Sequence, residues 1–241
     1  MNTLGSVKEI WRYPVKSMAG ECVEQCATKP GGLVGDRGWA LWDVKTGKVG
    51  SAKRMPALLM CTAVYLEEPV GNTNPHALIT FPDGSSVQTD DANVDARLSA
   101  YLDRDVMLKS SSDDETIAGG FFDDLSHSIL SSASMDALGE IIPDATLEVR
   151  RFRPNLYIET AAGVSGFAEL GWEGKSLQIG SVKMTAGVPI PRCVMVSMAQ
   201  PALDKDEQIL RRVLADVNRC LGIYAATAES GMIRVGDRVE M

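Results

Sequence analysis

The segment PIPRCVMVS, residues 189–197, places the thiol of Cys193 directly after Arg192 and a pair of prolines. A cysteine in a strand-rich run is ordinarily a small buried hydrophobe. An adjacent arginine instead favours the thiolate, which is the form that reacts and that binds soft metals. Taken alone, this motif leaves both interpretations open.

Basic residues concentrate at four places in a chain whose formal net charge is −8. These places are Lys16 with Ser17, Asp36 with Arg37, Lys53 with Arg54, and RRFRPN at residues 150–155. A charge run is usually a solvated face, and this is the simpler interpretation of Lys53 and Arg54. Arg153 differs because Phe152 and Pro154 flank it before an apolar strand, which predicts a guanidinium at a pocket mouth. Arginine, lysine and serine side chains that converge there would bind a phosphorylated anion.

Other common catalytic constellations are nearly absent. The two histidines, His76 and His127, exclude a histidine-rich metal site, and neither shows the partners of a Ser-His-Asp triad. We interpret His76 as a strand-end surface residue and His127 as a structural or supporting residue. Cys22 and Cys26 would form half of a zinc site only with a second pair, which is missing. The sequence contains no P-loop and no dinucleotide-binding fingerprint.

The composition is that of an ordinary globular protein, with 241 residues, 45% hydrophobic and 23% charged. This length suits one large domain or two small ones. The negative charge argues against a nucleic-acid surface, and no apolar run is long enough to span a membrane. Five scattered cysteines do not form a disulfide framework, and the N-terminal residues lack the apolar core of a signal peptide. We therefore predict a cytoplasmic location.

Short β-strands separated by Gly, Pro and Asp turns dominate the predicted secondary structure. The predicted strands are SVKEIWRYPV, RGWALWDV, ALLMCTAVYL, HALITF, SSVQTD, LEVRRF, NLYIET, KSLQIGSVKMTAG, CVMVSMA and MIRVGDRVEM. Helices are predicted over residues 91–102, 132–141 and 206–220 from their apolar spacing. Because no βαβ alternation occurs, we predict an α+β protein, predominantly β, with a β-barrel and a few helices. The polar segment 110–120 is the best linker candidate.

An ordered set of motifs along the chain resembles a known family. The set is YPVKS, GLVGDRGWAL, RFRPN, PRC, LGIY and IRVGDRV. At these separations it resembles the MOSC family, the domains related to the C-terminal part of molybdenum-cofactor sulfurase, which include the mitochondrial amidoxime-reducing component. The resemblance covers essentially the whole chain. It implies an N-terminal MOSC-associated β-barrel subdomain over residues 1–110 and a MOSC domain over residues 121–241.

The resemblance also implies a molybdenum–molybdopterin cofactor and the residues that hold it. Cys193 matches the protein ligand to molybdenum and is the implied catalytic residue. The metal would keep its thiol deprotonated, with Arg192 favouring the same form. The helix-opening serines at 131–134 resemble serines that line the family's pocket, and Ser132 is our choice among them. The implied cofactor-binding residues are Lys16, Ser17, Arg37, Ser132, Arg153, Asn155, Arg192 and Tyr224.

The activity implied by the resemblance is reduction of N-hydroxylated or N-oxygenated small molecules. Several relatives carry a second cysteine three residues before the ligand, but Ile190 stands there, so a CxxC pair is ruled out. No cysteine cluster has iron–sulfur spacing, so we expect electrons from a separate flavin, haem or iron–sulfur protein. The alternatives are a non-catalytic cofactor carrier or sulfur-delivery module, and a barrel that has lost the cofactor. We expect no pyridoxal phosphate, because the sequence lacks a desulfurase domain.

Overall fold

The computed structural model describes residues 2–113, 116–117 and 119–241. Within these ranges the chain forms seventeen β-strands and four α-helices. The strands are β1 Thr3–Arg12, β2 Glu21–Val23, β3 Gln25–Lys29, β4 Gly32–Leu33, β5 Trp39–Asp43, β6 Lys48–Val49, β7 Thr62–Tyr65, β8 Ala77–Thr80, β9 Ser86–Gln88, β10 Val106–Ser110, β11 His127–Ser131, β12 Leu156–Thr160, β13 Ser176–Ile179, β14 Val182–Pro191, β15 Cys220–Glu229, β16 Met232–Arg234 and β17 Arg238–Glu240. The helices are α1 Val94–Leu102, α2 Ser132–Ile141, α3 Val149–Phe152 and α4 Glu207–Asp216.

Seven of these strands close into a barrel in the order β12, β11, β15, β14, β13, β17 and β1. The barrel closes because β1 also pairs with β12, while β2 extends the sheet from β1. Neighbouring strands are antiparallel except β11 and β12, which are parallel. Apolar side chains such as Val7, Ile129 and Ile158 fill the barrel core, because alternate strand positions point inward. The prediction of a predominantly β, α+β fold built on a barrel is confirmed.

Three smaller sheets surround this barrel, each with three strands. Their orders are β10-β5-β6, β16-β3-β4 and β7-β8-β9. Helix α1 packs with the strands of the first half over an apolar cluster that includes Leu41, Leu58 and Leu98. A third cluster, with Leu130, Phe152 and Ile209, lies where α2, α3 and α4 cover the barrel. The site described below lies between the first half and the barrel.

The two predicted parts of the chain share one sheet. Strand β1 belongs to the first part, yet it pairs with β12 and β17 of the second part. Within the predicted linker, residues 111–113 form a 3₁₀ turn, and residues 114, 115 and 118 lie outside the described residues. The division into residues 1–110 and 121–241 stays a prediction.

Three predicted strands are wrong over much of their length. The first half of ALLMCTAVYL is a 3₁₀ helix, Pro56–Met60, which proline favours because its φ is already helical. LEVRRF contains α3, and CVMVSMA contains the 3₁₀ helix Val194–Ser197. Short apolar runs do not distinguish a buried strand from a short helix, so the sequence pattern was ambiguous at these places.

The predicted helices are present, with changed ends. Helix α2 spans the predicted residues, whereas α1 begins at Val94. Helix α4 ends at Asp216, because Asn218 and Arg219 take positive φ angles of 46° and 70° and turn the chain. Cys220 therefore begins β15 and does not end the helix, which corrects the prediction.

Helices α2 and α4 are the longest in the described part of the chain, with ten residues each. A helix of that length rises only about 15 Å, half the thickness of a bilayer core. None of the described helices has both the length and the apolar character that a membrane crossing requires.

Candidate functional site

A cavity of about 590 Å³ lies where β11, β14 and β15 meet the turns that flank β1 and β5. This volume is typical of small-molecule sites. Among the described residues, seven cationic side chains and two carboxylates line it, in a chain whose net charge is −8. Such a concentration of positive charge favours an anionic ligand. The cations are Lys16, Arg37, Lys53, Arg54, Arg151, Arg153 and Arg192, and the carboxylates are Asp123 and Asp124.

The structure brings eight of the nine predicted site residues to this cavity. Ser132 is the exception. The eight are Lys16, Ser17, Arg37, Arg153, Asn155, Arg192, Cys193 and Tyr224. They come from five separate stretches of the chain, so their convergence is a product of the fold.

Three of the lining residues have left-handed backbone conformations. The φ angles are 72° at Ser17, 53° at Arg37 and 52° at Arg153. This conformation costs a residue with a side chain about 1–2 kcal/mol. Backbone hydrogen bonds hold two of them, from Arg37 N to the Tyr13 carbonyl at 2.7 Å and from Arg153 N to the Arg150 carbonyl at 3.2 Å. Strained residues held in this way cluster at binding sites.

Arg153 carries an unsatisfied hydrogen-bond donor. Its Nη1 donates to the Met18 carbonyl at 2.7 Å, and its Cζ lies 4.1 Å from the centroid of the Tyr13 ring. Its Nη2 is buried and has no hydrogen-bond partner among the described residues. Burial, with the nearby charge of Arg37 acting in the same direction, lowers the pKa of Arg153 to about 10. A buried cation with a free donor suits an anionic oxygen of a ligand.

Asp36 is a fully buried carboxylate that orients Arg37 and Asn155. Its Oδ2 accepts hydrogen bonds from Arg37 Nη1 and, at 2.9 Å, from Asn155 Nδ2. Its Oδ1 accepts from Tyr13 N at 2.9 Å. Burial opposes the charge of Arg37, but Asp36 outweighs this effect and raises the pKa of the guanidinium. Sequence reasoning did not assign this role to Asp36.

Asn155 forms part of the wall, and its amide is used in internal hydrogen bonds. Its Oδ1 accepts from Ser128 N and Ser128 Oγ, both at 3.0 Å. Its Nδ2 donates to Asp36 and to the Trp11 carbonyl. Asn155 therefore holds its neighbours in place. Ser128 of β11 also lines the cavity, and the sequence analysis did not identify it.

Lys16 connects the turn after β1 to the loop before β11. Its Nζ donates to the Phe121 carbonyl at 2.7 Å and to Asp123 Oδ1 at 2.6 Å. Burial lowers the pKa of Lys16, and Asp123 partly offsets the shift. Ser17 Oγ accepts a hydrogen bond from Ala52 N at 3.1 Å, which fixes the turn next to Lys53 and Arg54.

Cys193 is half-buried at the cavity, between the end of β14 and a 3₁₀ helix. Arg192 fixes this segment, because its N–H donates to the Arg219 carbonyl at 2.8 Å and its Nε to the Leu221 carbonyl at 2.6 Å. Its Nη1 donates to the Phe152 carbonyl at 2.8 Å, and its buried Nη2 has no partner within the described residues. Burial lowers the pKa of Arg192 to about 10. Three hydrogen bonds from Arg192 to backbone carbonyls of neighbouring segments thus hold the residue next to Cys193 in place.

Gly222 makes room for Arg192. Its φ is 77°, and a Cβ added there would lie 2.8 Å from both Arg192 Nη2 and the Ile129 carbonyl oxygen. Tyr224, two residues later on β15, lines the cavity, and burial raises the pKa of its hydroxyl. The LGIY motif therefore combines a close backbone approach with a polar wall residue.

The structure does not bring Ser132 to the cavity. Its hydroxyl lies 2.9 Å from Thr160 Oγ1 and accepts from Thr160 N at 3.0 Å. Ser131 caps α2 by accepting from Ser134 N, and the Ser131 and Ser134 hydroxyls donate to buried Glu169. Among the residues that the structure describes as cavity lining, none belongs to 131–134. The serines at this helix N-terminus bind Glu169 and Thr160.

Among the described residues, neither histidine and no cysteine besides Cys193 lines the cavity. Burial lowers the pKa of His127 to about 4, and its Nε2 lies 2.7 Å from Thr227 Oγ1. Burial raises the pKa of Cys26 to about 12. In the described part of the chain, no group of three or more His, Cys, Asp or Glu residues could hold a metal. A metal at Cys193 would need its other ligands from a cofactor.

Comparisons with known proteins agree with the motif resemblance. The family model described as "MOSC domain" matches residues 116–240, and "MOSC N-terminal beta barrel domain" matches residues 4–125. Mitochondrial amidoxime reducing component 2 of Bos taurus is 23% identical over 292 residues, which cover 99% of this chain and 84% of that protein.

Two solved structures are similar at lower identity. The YUAD protein from Bacillus subtilis is 10% identical, with a TM-score of 0.48 over 98% of this chain and 93% of that one. YiiM from Geobacillus stearothermophilus is 14% identical, with a TM-score of 0.36 over 48% of this chain and 53% of that one.

Proposed function

Because this chain belongs to the MOSC domain family, we propose that its cavity binds a molybdenum–molybdopterin cofactor and that the protein is an oxidoreductase. Its substrates would be N-hydroxylated or N-oxygenated small molecules. The observation that carries the proposal is the buried Nη2 of Arg153, which has no partner among the described residues and lies in a cavity that seven cations line. The similarity to an amidoxime reducing component supports the class of reaction.

The cationic part of the cavity fits the phosphate of such a cofactor. Arg153 has a donor without a partner in the described part of the chain. Arg37 is oriented by Asp36, and its Cζ lies 4.9 Å from the Tyr13 ring centroid. Hydrogen bonds between a cationic donor and an anionic oxygen are worth about 1.5–3 kcal/mol each. The unpaired donor would therefore turn from a desolvation cost into a binding contribution when a phosphate is present.

Cys193 fits the metal of the cofactor. A thiolate is a soft ligand, and Cys193 is the only cysteine among the described lining residues. When bound, the cofactor supplies the oxygen-atom transfer and the redox change. The chain would supply the orientation: Arg192 braces the Cys193 segment, and Tyr224 and Ser128 line the wall with hydroxyls.

We further propose that a separate electron-transfer protein, of the flavin, haem or iron–sulfur type, reduces the site, and that the protein works in the cytoplasm. The cysteine spacing and the missing dinucleotide fingerprint support the need for a donor. The chain alone should not reduce an amidoxime with NADH, and a chemical reductant should replace the natural donor.

The test is to purify the protein from a host that makes the cofactor and from a matched host that cannot. Molybdenum and pterin per chain are measured first, followed by reduction of an amidoxime with a reduced viologen dye. Stoichiometric molybdenum with turnover, present only in the first preparation, is the expected result. Molybdenum without turnover would favour the carrier alternative. Absence of both molybdenum and pterin would contradict the proposal.

A further inference from the structure

Asp123 places a carboxylate of the protein itself against a cavity cation. Its Oδ1 lies 2.6 Å from Lys16 Nζ, and the Asp123 side chain is 78% exposed whereas that of Lys16 is 10% exposed. The exposed carboxylate of Asp123 therefore neutralises the buried ammonium of Lys16. The Phe121 carbonyl and Asp123 take two of the three N–H donors of Lys16, so a ligand anion at the position of this carboxylate would have to displace it.

The charges around Asp123 favour an anion at its position. Burial tends to raise the pKa of Asp123, but the hydrogen bond from Lys16 and the charges of Lys16, Arg37 and Lys53 outweigh it and lower the pKa. All three cations line the same cavity. The carboxylate thus occupies a position where the cations of the cavity stabilise a negative charge.

The chain around Asp123 is held by contacts that do not involve the Asp123 side chain. Phe121 N donates to the Arg37 carbonyl at 2.9 Å, and the Phe121 carbonyl accepts from Lys16. The Phe121 ring contacts the Trp42 ring edge-on at 6.1 Å, and the Phe122 ring lies 5.9 Å from Arg37 Cζ. Because the Asp123 side chain is mostly exposed, its rotation away from Lys16 leaves these contacts intact.

We propose that Asp123 is an internal competitor for the anion-binding part of this cavity, so that doubly charged phosphoryl groups enter and singly charged anions are excluded. Exchanging a single negative charge for another gains nothing at Lys16, whereas a dianion adds a charge that Arg37 and Arg153 stabilise. Asp123 would thereby select the charge of the ligand. The inference rests on the proposed function only for the identity of the phosphate bearer.

Asp124 offers a matched control. It is the adjacent carboxylate and lines the same cavity, yet it makes no hydrogen bond or ion pair within the described ranges. Asp123→Asn and Asp124→Asn remove the same charge from neighbouring positions. A general electrostatic effect would act on both variants, whereas competition for Lys16 would act on Asp123 alone.

The experiment titrates inorganic phosphate and acetate into the cofactor-free protein by calorimetry at constant ionic strength and pH 8. Asp123→Asn should bind phosphate about 5- to 10-fold more tightly than wild type and should gain measurable acetate binding. Asp124→Asn should change either affinity less than about twofold. In a Lys16→Gln background, Asp123→Asn should give no gain. Equal gains in both single variants, an undiminished gain without Lys16, or no gain for Asp123→Asn would overturn the proposal.

These titrations contain no molybdenum, so their outcome is separate from that of the proposed function. A gain confined to Asp123→Asn in a protein that never acquires molybdenum would support the competitor and contradict the cofactor assignment. If the wild type takes up molybdenum but Asp123→Asn changes neither affinity, the cofactor assignment is supported and the role of Asp123 as a competitor is contradicted. Thermal unfolding of each variant checks that the exposed substitutions leave the fold unchanged.

Discussion

The guanidinium of Arg153 lies 4.1 Å from the centroid of the Tyr13 ring. This contact, with one hydrogen bond to the Met18 carbonyl, holds a buried cation whose second terminal nitrogen has no partner in the described part of the chain. Removing a cation from water is costly unless every donor is satisfied. The geometry therefore places an unfavourable charge where an anionic ligand would compensate it.

Replacing Arg153 should weaken phosphate binding strongly while changing the free energy of unfolding little. Arg153→Met keeps an apolar stem against Tyr13 but removes the charge, so phosphate should bind roughly 10- to 150-fold more weakly, from about 1.5–3 kcal/mol lost. The free energy of unfolding without ligand should fall by less than about 1 kcal/mol, since the desolvation cost disappears too. Calorimetry and urea unfolding measure the two effects.

The control for this change is Arg150→Met, on helix α3 immediately before Arg153. Arg150 is paired with Glu148 and does not line the cavity among the described residues. Its replacement should leave phosphate affinity unchanged. Comparable weakening in both variants would show that Arg153 acts through the general charge of the protein and does not contact the ligand.

Asp36→Asn should lower both the stability of the protein and its affinity for phosphate. The substitution leaves Arg37 without its buried counter-charge and places an amide against Asn155 Nδ2, so we expect a loss of about 3 kcal/mol in unfolding free energy. Phosphate affinity should fall as well, because Arg37 loses its orientation. The control Asp43→Asn breaks another pair, with Arg104, away from the cavity. It should leave phosphate affinity unchanged, and wild-type affinity in Asp36→Asn would refute the positioning role.

His127 should make stability depend on pH below neutrality. Burial lowers its pKa from 6.5 to about 4, so the unfolded chain binds the proton more readily than the folded protein between these values. The stabilisation is complete above pH 6.5 and is lost as the pH falls towards 4, with about 1–2 kcal/mol lost between pH 6.5 and 5. Urea unfolding of His127→Gln should lack this component. The exposed control His76→Gln should keep it, and equal slopes in wild type and His127→Gln would contradict the assignment.

Gly222→Ala should disturb Arg192 and the segment that carries Cys193. A Cβ at this position would meet Arg192 Nη2 and the Ile129 carbonyl oxygen at 2.8 Å. Gly84 has a similar φ of 83° but no heavy atom within 4 Å of an added Cβ, so Gly84→Ala carries the backbone strain alone. We expect Gly222→Ala to lose about 1–3 kcal/mol more unfolding free energy than Gly84→Ala. Equal losses would show that the contact with Arg192 is unimportant.

The positions of the motifs could be predicted from the sequence better than the contacts between them. Arg153 could be assigned to a pocket mouth because its neighbours Phe152 and Pro154 exclude a simple solvated charge run. Asp36 could not be assigned, since its role depends on Tyr13 and Asn155, which the pairing of β1 with β12 brings together. No local sequence pattern predicts a contact between residues so far apart in the chain.

The contacts of the serines around the start of α2 likewise could not be predicted from the sequence. The start of the helix at Ser132 could be predicted from the apolar spacing, but the side of β11 that faces the cavity depends on the pairing of strands. Ser128 faces the cavity opposite Tyr224 in the register, whereas Ser132 contacts Thr160. Likewise, the turn at Asn218 and Arg219 interrupts a pattern that would otherwise continue the helix to Cys220.

X-ray absorption at the molybdenum edge tests the central claim most directly, because it counts the sulfur atoms bound to the metal. Cys193→Ser is compared with wild type and with Cys220→Ser, a stringent control because Cys220 pairs in register with Pro191 beside the same segment. The account predicts one sulfur ligand fewer in Cys193→Ser, with loss of N-reductive activity, and a wild-type spectrum in Cys220→Ser. An unchanged number of molybdenum–sulfur bonds in Cys193→Ser would contradict it.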